Sequence, residues 1–184
     1  MRKTWMMLAA LVAFAGPAAA EPTQADPVVT ARAGYELRLI GGGLASGQRG
    51  LHSYPIFLFG ITRTEAIQRV AALRGRASAA GNSSCGGQTL NFARFGTLTL
   101  WFRGNRWVGW SLTGPAGPRP IRSEWDLGIG TPRGEIGDAD MEQPVFRPTA
   151  RGTEFTFDEM HGLLAGRGRQ ARVAALWAGT TCRR

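Results

Sequence analysis

The sequence contains two cysteines, Cys85 and Cys182, whose thiols could form a disulfide or a redox-active pair. They lack the C-x-x-C spacing that favours a redox-active pair. An isolated pair in an oxidising compartment is typical of one structural disulfide. The bridge would close a long loop, and the chain-entropy model assigns such a loop about 4–5 kcal/mol of stability. We therefore predict a Cys85–Cys182 staple between the middle of the chain and its last residues.

The histidines and acidic residues do not form a metal-binding pattern. His52 and His161 are isolated in sequence, without a second ligand at metal-binding spacing. Asp138, Asp140 and Glu142 alternate as calcium ligands do, but the stretch departs from the spacing of an EF-hand loop. We expect neither a cofactor nor a metal ion.

Nucleophilic catalysis is an alternative to our main expectation. It needs a nucleophile beside an oriented base, for example Ser84 beside His52 or His161 with a carboxylate. The segment 109–113 misses the G-x-S-x-G pattern at its last position. The alternative is therefore a small periplasmic hydrolase whose catalytic residues the fold would have to bring together.

Tryptophans and arginines are concentrated on one predicted β-hairpin. Gly104 and Asn105 form a two-residue turn with glycine first, as a type II′ turn requires. Because the turn fixes the register of the two strands, it predicts the cross-strand pairs Arg103–Arg106, Phe102–Trp107 and Trp101–Val108. One face of the hairpin then carries Trp101, Val108, Trp110 and Leu112.

This hairpin is the candidate binding surface. Tryptophan and arginine are enriched in the hot spots of protein interfaces. The candidate residues are Trp101, Arg103, Arg106, Trp107 and Trp110. Both faces of the hairpin are apolar, so the second face is either buried by the rest of the fold or exposed as a patch for a partner. Burial is the more common fate of tryptophan.

The elements that must position these residues include one well-marked helix. Thr62-x-x-Glu65 is a capping box, in which the threonine hydroxyl and the glutamate carboxylate bond free amides at a helix start. Apolar residues follow at helical spacing, and Gly75 ends the pattern. We predict a helix over Arg63–Arg74.

The pattern at this helix start occurs twice in the sequence. G-x-x-R-x-E spans residues 60–65 and again residues 130–135, and predicted strands follow each copy. We interpret these segments as two diverged copies of one unit, with a chance match as the alternative. The predicted fold class is α+β, with two small helix-plus-antiparallel-sheet repeats and one disulfide. The first unit is 34–114, the second is 126–184, and a Pro/Gly-rich linker at 115–125 joins them.

A helix that opens with G-x-T-x-x-E before a small antiparallel sheet, twice over, resembles the β-lactamase-inhibitor-protein-like fold. Small outer-membrane assembly lipoproteins of the SmpA/OmlA type use one copy of this unit, and the β-lactamase inhibitor protein uses two. The motif residues are Gly60, Thr62, Arg63 and Glu65, with a less complete second set at Gly130, Thr131, Arg133 and Glu135. Unlike the lipoproteins, this chain has Glu21 rather than a cysteine after its signal sequence. The resemblance implies a fold and a binding role, and it specifies no partner.

The N-terminus has the pattern of an export signal. Arg2 and Lys3 precede an apolar run that is too short to span a bilayer, and Ala18-Ala19-Ala20 supplies a cleavage site. We predict a signal peptide over 1–20, cleavage before Glu21, a flexible segment over 21–33, and a periplasmic or secreted protein. No later stretch is long and apolar enough to cross a membrane.

The charge of the chain favours an envelope ligand over a nucleic acid. Lys+Arg total 22 against 13 Asp+Glu, a net charge of +9. No lysine follows position 3, and the arginines are scattered rather than clustered as in nucleic-acid-binding proteins. We expect a non-catalytic binding module of the cell envelope, protein-interacting or inhibitor-like. A further alternative is an arginine-led binder of anionic envelope lipids or glycans.

Overall fold

A computed structural model describes residues 34–48, 54–137 and 143–182. The predicted signal peptide (1–20), the segment 21–33, His52 and the acidic stretch around Asp140 lie outside the described residues. The strands are β1 (Tyr35–Ile40), β2 (Gly43–Gln48), β3 (Ile56–Leu58), β4 (Ala79–Cys85), β5 (Gln88–Phe95), β6 (Leu98–Arg103), β7 (Arg106–Thr113), β8 (Arg122–Ser123), β9 (Val145–Thr149), β10 (Gly152–Phe157), β11 (Met160–Ala165) and β12 (Arg172–Gly179). The α-helix α1 spans Arg63–Arg74, and short 3-10 turns span Arg133–Glu135 and Gly168–Gln170.

Helix α1 has the predicted bounds and a partly predicted cap. The Thr62 hydroxyl accepts a hydrogen bond from the amide of Glu65 at 3.3 Å. The Glu65 carboxylate instead forms an ion pair with Arg69 one turn later, at 2.7 Å. Gly75 ends the helix with φ +81°, a conformation that glycine adopts without steric cost.

The smaller sheet has four strands in the order β3-β2-β1-β8. The sequence predicts a glycine-rich loop over residues 41–50, but Gly41 and Gly42 are a two-residue turn and β2 pairs along the whole of β1. Strand β8 then pairs in parallel with β1 from within the predicted linker. Two residues near the end of the predicted linker therefore belong to the smaller sheet.

The larger sheet has eight strands in the order β4-β5-β6-β7-β12-β11-β10-β9. Every pairing in it is antiparallel, so β4–β7 and β9–β12 are two meanders joined through their last strands. At the centre of this junction Ser111 pairs with Trp177. The strand order is the same on each side when it is counted outward from the junction.

The predicted fold class, α+β with two helix-plus-sheet repeats, is wrong. The described residues form a mostly β structure with one α-helix and two sheets, rather than two helix-plus-sheet repeats. The second G-x-x-R-x-E segment forms only the 3-10 turn Arg133–Glu135. Glycine is a poor helix former, so Gly134 weakens a helix there, and Gly137 has φ +87°, which a right-handed helix cannot contain.

The two motif segments nevertheless make matching backbone contacts. Gly60 donates its amide to the Trp107 carbonyl at 2.8 Å, and Gly130 donates to the Val173 carbonyl at 2.8 Å. The side chains of Arg106 and Arg172 each donate to the carbonyl of the corresponding glycine, at 2.8 and 2.9 Å. The motif thus marks how a segment attaches to a last strand, and an origin by tandem duplication stays a prediction.

The hydrophobic core lies between the two sheets, with α1 against it. Its largest fully buried side chains come from the large sheet, led by Trp107, Trp110, Phe102 and Phe155. Leu39 and Leu44 contribute from the small sheet, and Ala66 and Val70 from the helix. The Trp110 indole N–H donates to the Ile40 carbonyl at 3.0 Å, so a hydrogen bond also joins the two sheets.

The predicted disulfide is confirmed. Cys85 at the end of β4 is bonded to Cys182, with the two Cα atoms 5.1 Å apart. Within the described ranges, no helix has the length and apolar character needed to cross a membrane.

Candidate functional site

The predicted hairpin is present, but a β-bulge changes which side chains share a face. Arg103 pairs with Arg106 and Phe102 with Trp107, as the Gly104-Asn105 turn predicts. The register then shifts, so Trp101 pairs with Gly109 and not with Val108. An extra residue in one strand moves every later side chain to the opposite face. The prediction that Trp101 and Trp110 share a face is therefore wrong.

The bulge places most of the candidate binding surface inside the protein. Trp107 and Trp110 are fully buried on the core side, at 0% exposure, and Trp101 is 8% exposed on the outer side. Of the five candidate binding residues, Arg103 and Arg106 beside the hairpin turn (the hairpin tip) are exposed. Arg103 bonds Gln88 and Arg106 bonds the Gly60 carbonyl. This burial counts against the hairpin as a tryptophan-led docking surface.

The C-terminal residues pack against β7 beside the position that pairs with Trp101. After β12, the Thr180 amide donates to the Val108 carbonyl of β7 at 2.8 Å. A β-carbon at Gly109 would clash with the Thr180 carbonyl, so glycine permits this close approach. The tail then reaches Cys85 through Cys182, on the side where Trp101 bonds the Ser111 hydroxyl at 2.9 Å.

The described histidine pairs with a neighbouring strand rather than with the candidate serine. His161 Nδ1 lies 3.1 Å from the Thr156 hydroxyl, and its ring stacks on Trp177. His161 is directly opposite Thr156 in the register, so pairing of the two strands already accounts for this contact. Ser84 is on β4, with four strands between it and β11. Within the described parts of the chain, no group of three or more His, Cys, Asp or Glu residues could hold a metal ion.

A concave surface with an excess of positive charge lies elsewhere, between β1, the end of α1 and the segment before β8. We call this depression, with a volume of about 230 Å³, the arginine cleft. It is lined by Tyr35, Glu36, Leu37, Arg38, Leu73, Arg74, Pro118, Arg119, Pro120, Arg122 and Asp126. A second depression of about 260 Å³ shares Arg74, Pro118 and Arg119 with it. These shared residues therefore form the divide between two adjoining depressions.

The local sequence explains how the divide is held in place. Arg74 is in the last turn of α1, where a cation also compensates the negative end of the helix dipole. Arg119 lies between Pro118 and Pro120, which fix their own φ angles and restrict the residue between them to extended backbone. The Arg74 guanidinium donates to the Arg119 carbonyl at 3.0 Å and fastens this stiff segment to the helix end.

The two divide arginines have no acidic partner among the described residues. Burial, and next the neighbouring Arg119 charge, lower the pKa of the Arg74 guanidinium. The Arg74–Arg119 backbone bond uses one N–H of a group that carries five donors. Two like charges are thus held at one concave place with donors still available, and an anion would relieve their repulsion.

The other end of the arginine cleft is internally neutralised. Arg38 forms an ion pair with Glu36 at 2.8 Å, and the Tyr54 hydroxyl donates to the same carboxylate. Arg122 lies 3.6 Å from the Asp126 carboxylate. The unbalanced positive charge of the cleft is therefore concentrated at Arg74 and Arg119.

The sequence prediction missed this site because its residues are distant along the chain. The helical pattern predicts that Arg74 faces solvent, and the Pro/Gly composition predicts that Arg119 lies in a linker between units. The available signal was the sequence Pro118-Arg119-Pro120, since a charged residue between two prolines is held in a fixed backbone conformation. Nothing in the sequence places that segment against the end of α1.

The comparisons with known proteins add support for the fold alone. No protein-family model matches the chain, and no curated protein matches it. Among solved structures it is similar to the uncharacterized protein YfeY from Escherichia coli, with a TM-score of 0.50 and 13% sequence identity. The match covers 78% of this chain and 99% of that chain. The resemblance to the β-lactamase-inhibitor-protein-like fold stays a prediction.

Proposed function

We propose that the protein is a non-catalytic binding module of the cell envelope that holds a small anionic ligand in the arginine cleft. The observation that carries the proposal is the pair Arg74 and Arg119, which adjoin at a concave surface without an acidic partner among the described residues. Arginine is suited to this role because its planar group binds carboxylate and phosphate oxygens with two parallel hydrogen bonds.

The location in the envelope is part of the proposal and has separate support. The Cys85–Cys182 disulfide is typical of an oxidising compartment. The predicted export signal at 1–20 points to the same compartment. A ligand from this environment would include the phosphate and carboxylate groups of envelope lipids and glycans.

The other two candidate functions receive less support. A protein-binding surface led by Trp101, Trp107 and Trp110 would require side chains that are buried here. A hydrolase built on Ser84 and His161 would require two residues from strands that are not neighbours in the sheet. The other candidate base, His52, lies outside the described residues. We therefore place the binding function at the arginine cleft.

The proposal is tested by calorimetric titration of the mature protein with small anions at low ionic strength. The anions are phenyl phosphate, phenyl sulfate and benzoate. We expect at least one of them to bind, and we expect Arg74→Gln with Arg119→Gln to weaken binding at least tenfold. The matched control is Arg103→Gln with Arg106→Gln, which removes the same charge from the hairpin tip. Equal loss in both double variants would indicate a general charge effect and contradict a site in the cleft.

A further inference from the structure

The arginine cleft has features that select among anions, and this inference rests on the proposed function. We infer that its preferred ligand is a phosphate monoester in the dianionic form. Three features of the cleft favour this ligand: its two unbalanced positive charges, its volume, and the ion pairs at its other end.

The charge argument concerns Arg74 and Arg119. Each brings one positive charge, and neither has a described acidic partner, so the local excess is two charges. A carboxylate, a sulfate monoester or a phosphate diester carries one negative charge and would balance half of that excess. A phosphate monoester carries nearly two negative charges at neutral pH, with three strong acceptor oxygens for the guanidinium donors.

The size argument concerns which part of a ligand can enter. Pockets that enclose whole drug-sized molecules measure roughly 300–1,000 Å³, whereas the arginine cleft measures about 230 Å³. The cleft alone therefore holds a terminal phosphate with a few attached atoms, and a larger ligand would extend across the divide toward the adjoining depression. Tyr35 also lines the cleft.

The paired end of the cleft adds a reason to prefer an end group. Arg38 and Arg122 are already engaged by Glu36 and Asp126. A polyanion lying along the whole cleft would bring negative charge against these two carboxylates. A single terminal phosphate at the divide avoids them.

The experiment compares phenyl phosphate with phenyl sulfate, which has the same shape but one charge fewer, and with benzoate. At pH 7.5 we expect phenyl phosphate to bind at least tenfold more tightly than either monoanion. The second ionisation of a phosphate monoester has a pKa near 6, so its affinity falls about five- to tenfold between pH 7.5 and pH 5, depending on how weakly the monoanion binds. Phenyl sulfate does not titrate in this range and should show constant affinity.

The sulfate control also reports on the protein's own groups. The titratable and charged groups facing the divide are Glu36, Arg38 and Tyr35 on β1, with Arg122 and Asp126 beside β8. If any of them changed charge between pH 7.5 and pH 5, phenyl sulfate affinity would change as well. Parallel pH profiles for the two ligands would overturn the phosphate inference.

The outcomes separate this inference from the proposed function. Similar affinities for all three anions, lost in Arg74→Gln with Arg119→Gln, would overturn the monoester preference and leave an anion site in the cleft. Binding of none of them, or binding unchanged by that double variant, would overturn both proposals. A preference for phenyl phosphate that survives in the hairpin-tip variant supports both.

A vesicle arm distinguishes a lipid headgroup from a soluble phosphate. Phosphatidylcholine vesicles containing phosphatidic acid present a monoester, and vesicles containing phosphatidylglycerol present a diester. A lipid source predicts tighter binding to the phosphatidic acid vesicles, lost in the cleft double variant. A soluble source predicts phenyl phosphate binding with no preference between the vesicles.

Discussion

The hairpin tip and the arginine cleft each bring two arginines together, and they differ in what surrounds them. Arg103 and Arg106 flank the exposed turn of a hairpin whose backbone is hydrogen-bonded to the segment leading into α1. Arg74 and Arg119 lie at the divide between two depressions, where Arg74 is half-buried. Arg119 is exposed like the two tip arginines, so the electrostatic difference between the two places lies at Arg74. Water screens the half-buried Arg74 charge less than it screens the exposed charges.

The comparison also separates residues that build the fold from residues that are free to bind. The hairpin's tryptophans contribute to the core and its tip arginines bond protein atoms. At the cleft, the side chain of Arg119 makes no hydrogen bond or ion pair with a described residue. Composition alone favours the hairpin as the binding surface, whereas burial and hydrogen bonding favour the cleft.

The largest expected effect tests whether the hairpin is structural. Trp110→Ala removes a fully buried side chain and its hydrogen bond to the Ile40 carbonyl. We expect the free energy of unfolding in urea to fall by about 3–5 kcal/mol. Trp125→Ala, at a tryptophan that is 37% exposed, is the control and should cost less. Equal losses of stability at the two positions would contradict a special role of the hairpin tryptophan in the core.

The second prediction concerns the disulfide that holds the tail beside the hairpin. Cys85→Ser with Cys182→Ser removes a bridge that closes a long loop, at a cost of about 2–5 kcal/mol. Thermal unfolding of the variant should match that of the wild type under reducing conditions. If the variant is as stable as the oxidised wild type, the tail does not depend on the bridge.

The third prediction sharpens the contrast between the two arginine pairs without a ligand. Arg74→Gln with Arg119→Gln relieves a like-charge contact but also removes the Arg74 hydrogen bond to the Arg119 carbonyl. Because these effects oppose each other, we expect stability to stay within about 0.5 kcal/mol of the wild type. The hairpin-tip double variant should lose more, because it removes two side-chain hydrogen bonds, from Arg106 to the Gly60 carbonyl and from Arg103 to Gln88. Urea unfolding at low salt measures both, and a larger loss for the cleft variant would reverse the comparison.

The smallest expected effect concerns two neighbouring negative charges, Glu124 and Asp158. Burial, and next the Asp158 charge, raise the pKa of Glu124. A carboxyl whose pKa is raised on folding favours the folded state when protonated, so its contribution is lost as pH rises through that pKa. Glu124→Gln should therefore stabilise the protein slightly at pH 7 and have little effect below about pH 4. A stabilisation that is equal at both pH values would contradict the electrostatic cause, and Glu135→Gln serves as the surface control.

Local sequence signals predicted the elements that local interactions determine. The bounds of α1, the Gly104-Asn105 turn and the Cys85–Cys182 bridge follow from capping, turn chemistry and cysteine count. The sequence predicts a loop over Arg76–Gln88, where the structure has β4, because an exposed edge strand of Ala, Gly, Asn and Ser residues has no apolar alternation.

The parts that could not be predicted depend on contacts between distant segments. The bulge at Trp101 shifts the register without a turn residue to mark it. This shift places Trp110 on the core side of the sheet. The pairing of β7 with β12 joins the predicted units into one sheet. The arginine cleft exists only because the segment around Arg119 lies against the end of α1.

The most direct test uses NMR spectra to find which arginine side chains contact the anion. Arginine Nε–H resonances of the ¹⁵N-labelled mature protein would be followed during titration with phenyl phosphate, after assignment with single Arg→Gln variants. The account predicts saturable shifts at Arg74 and Arg119 and small, unsaturated shifts at Arg103 and Arg106. Saturable shifts at the hairpin tip with none in the cleft would contradict it.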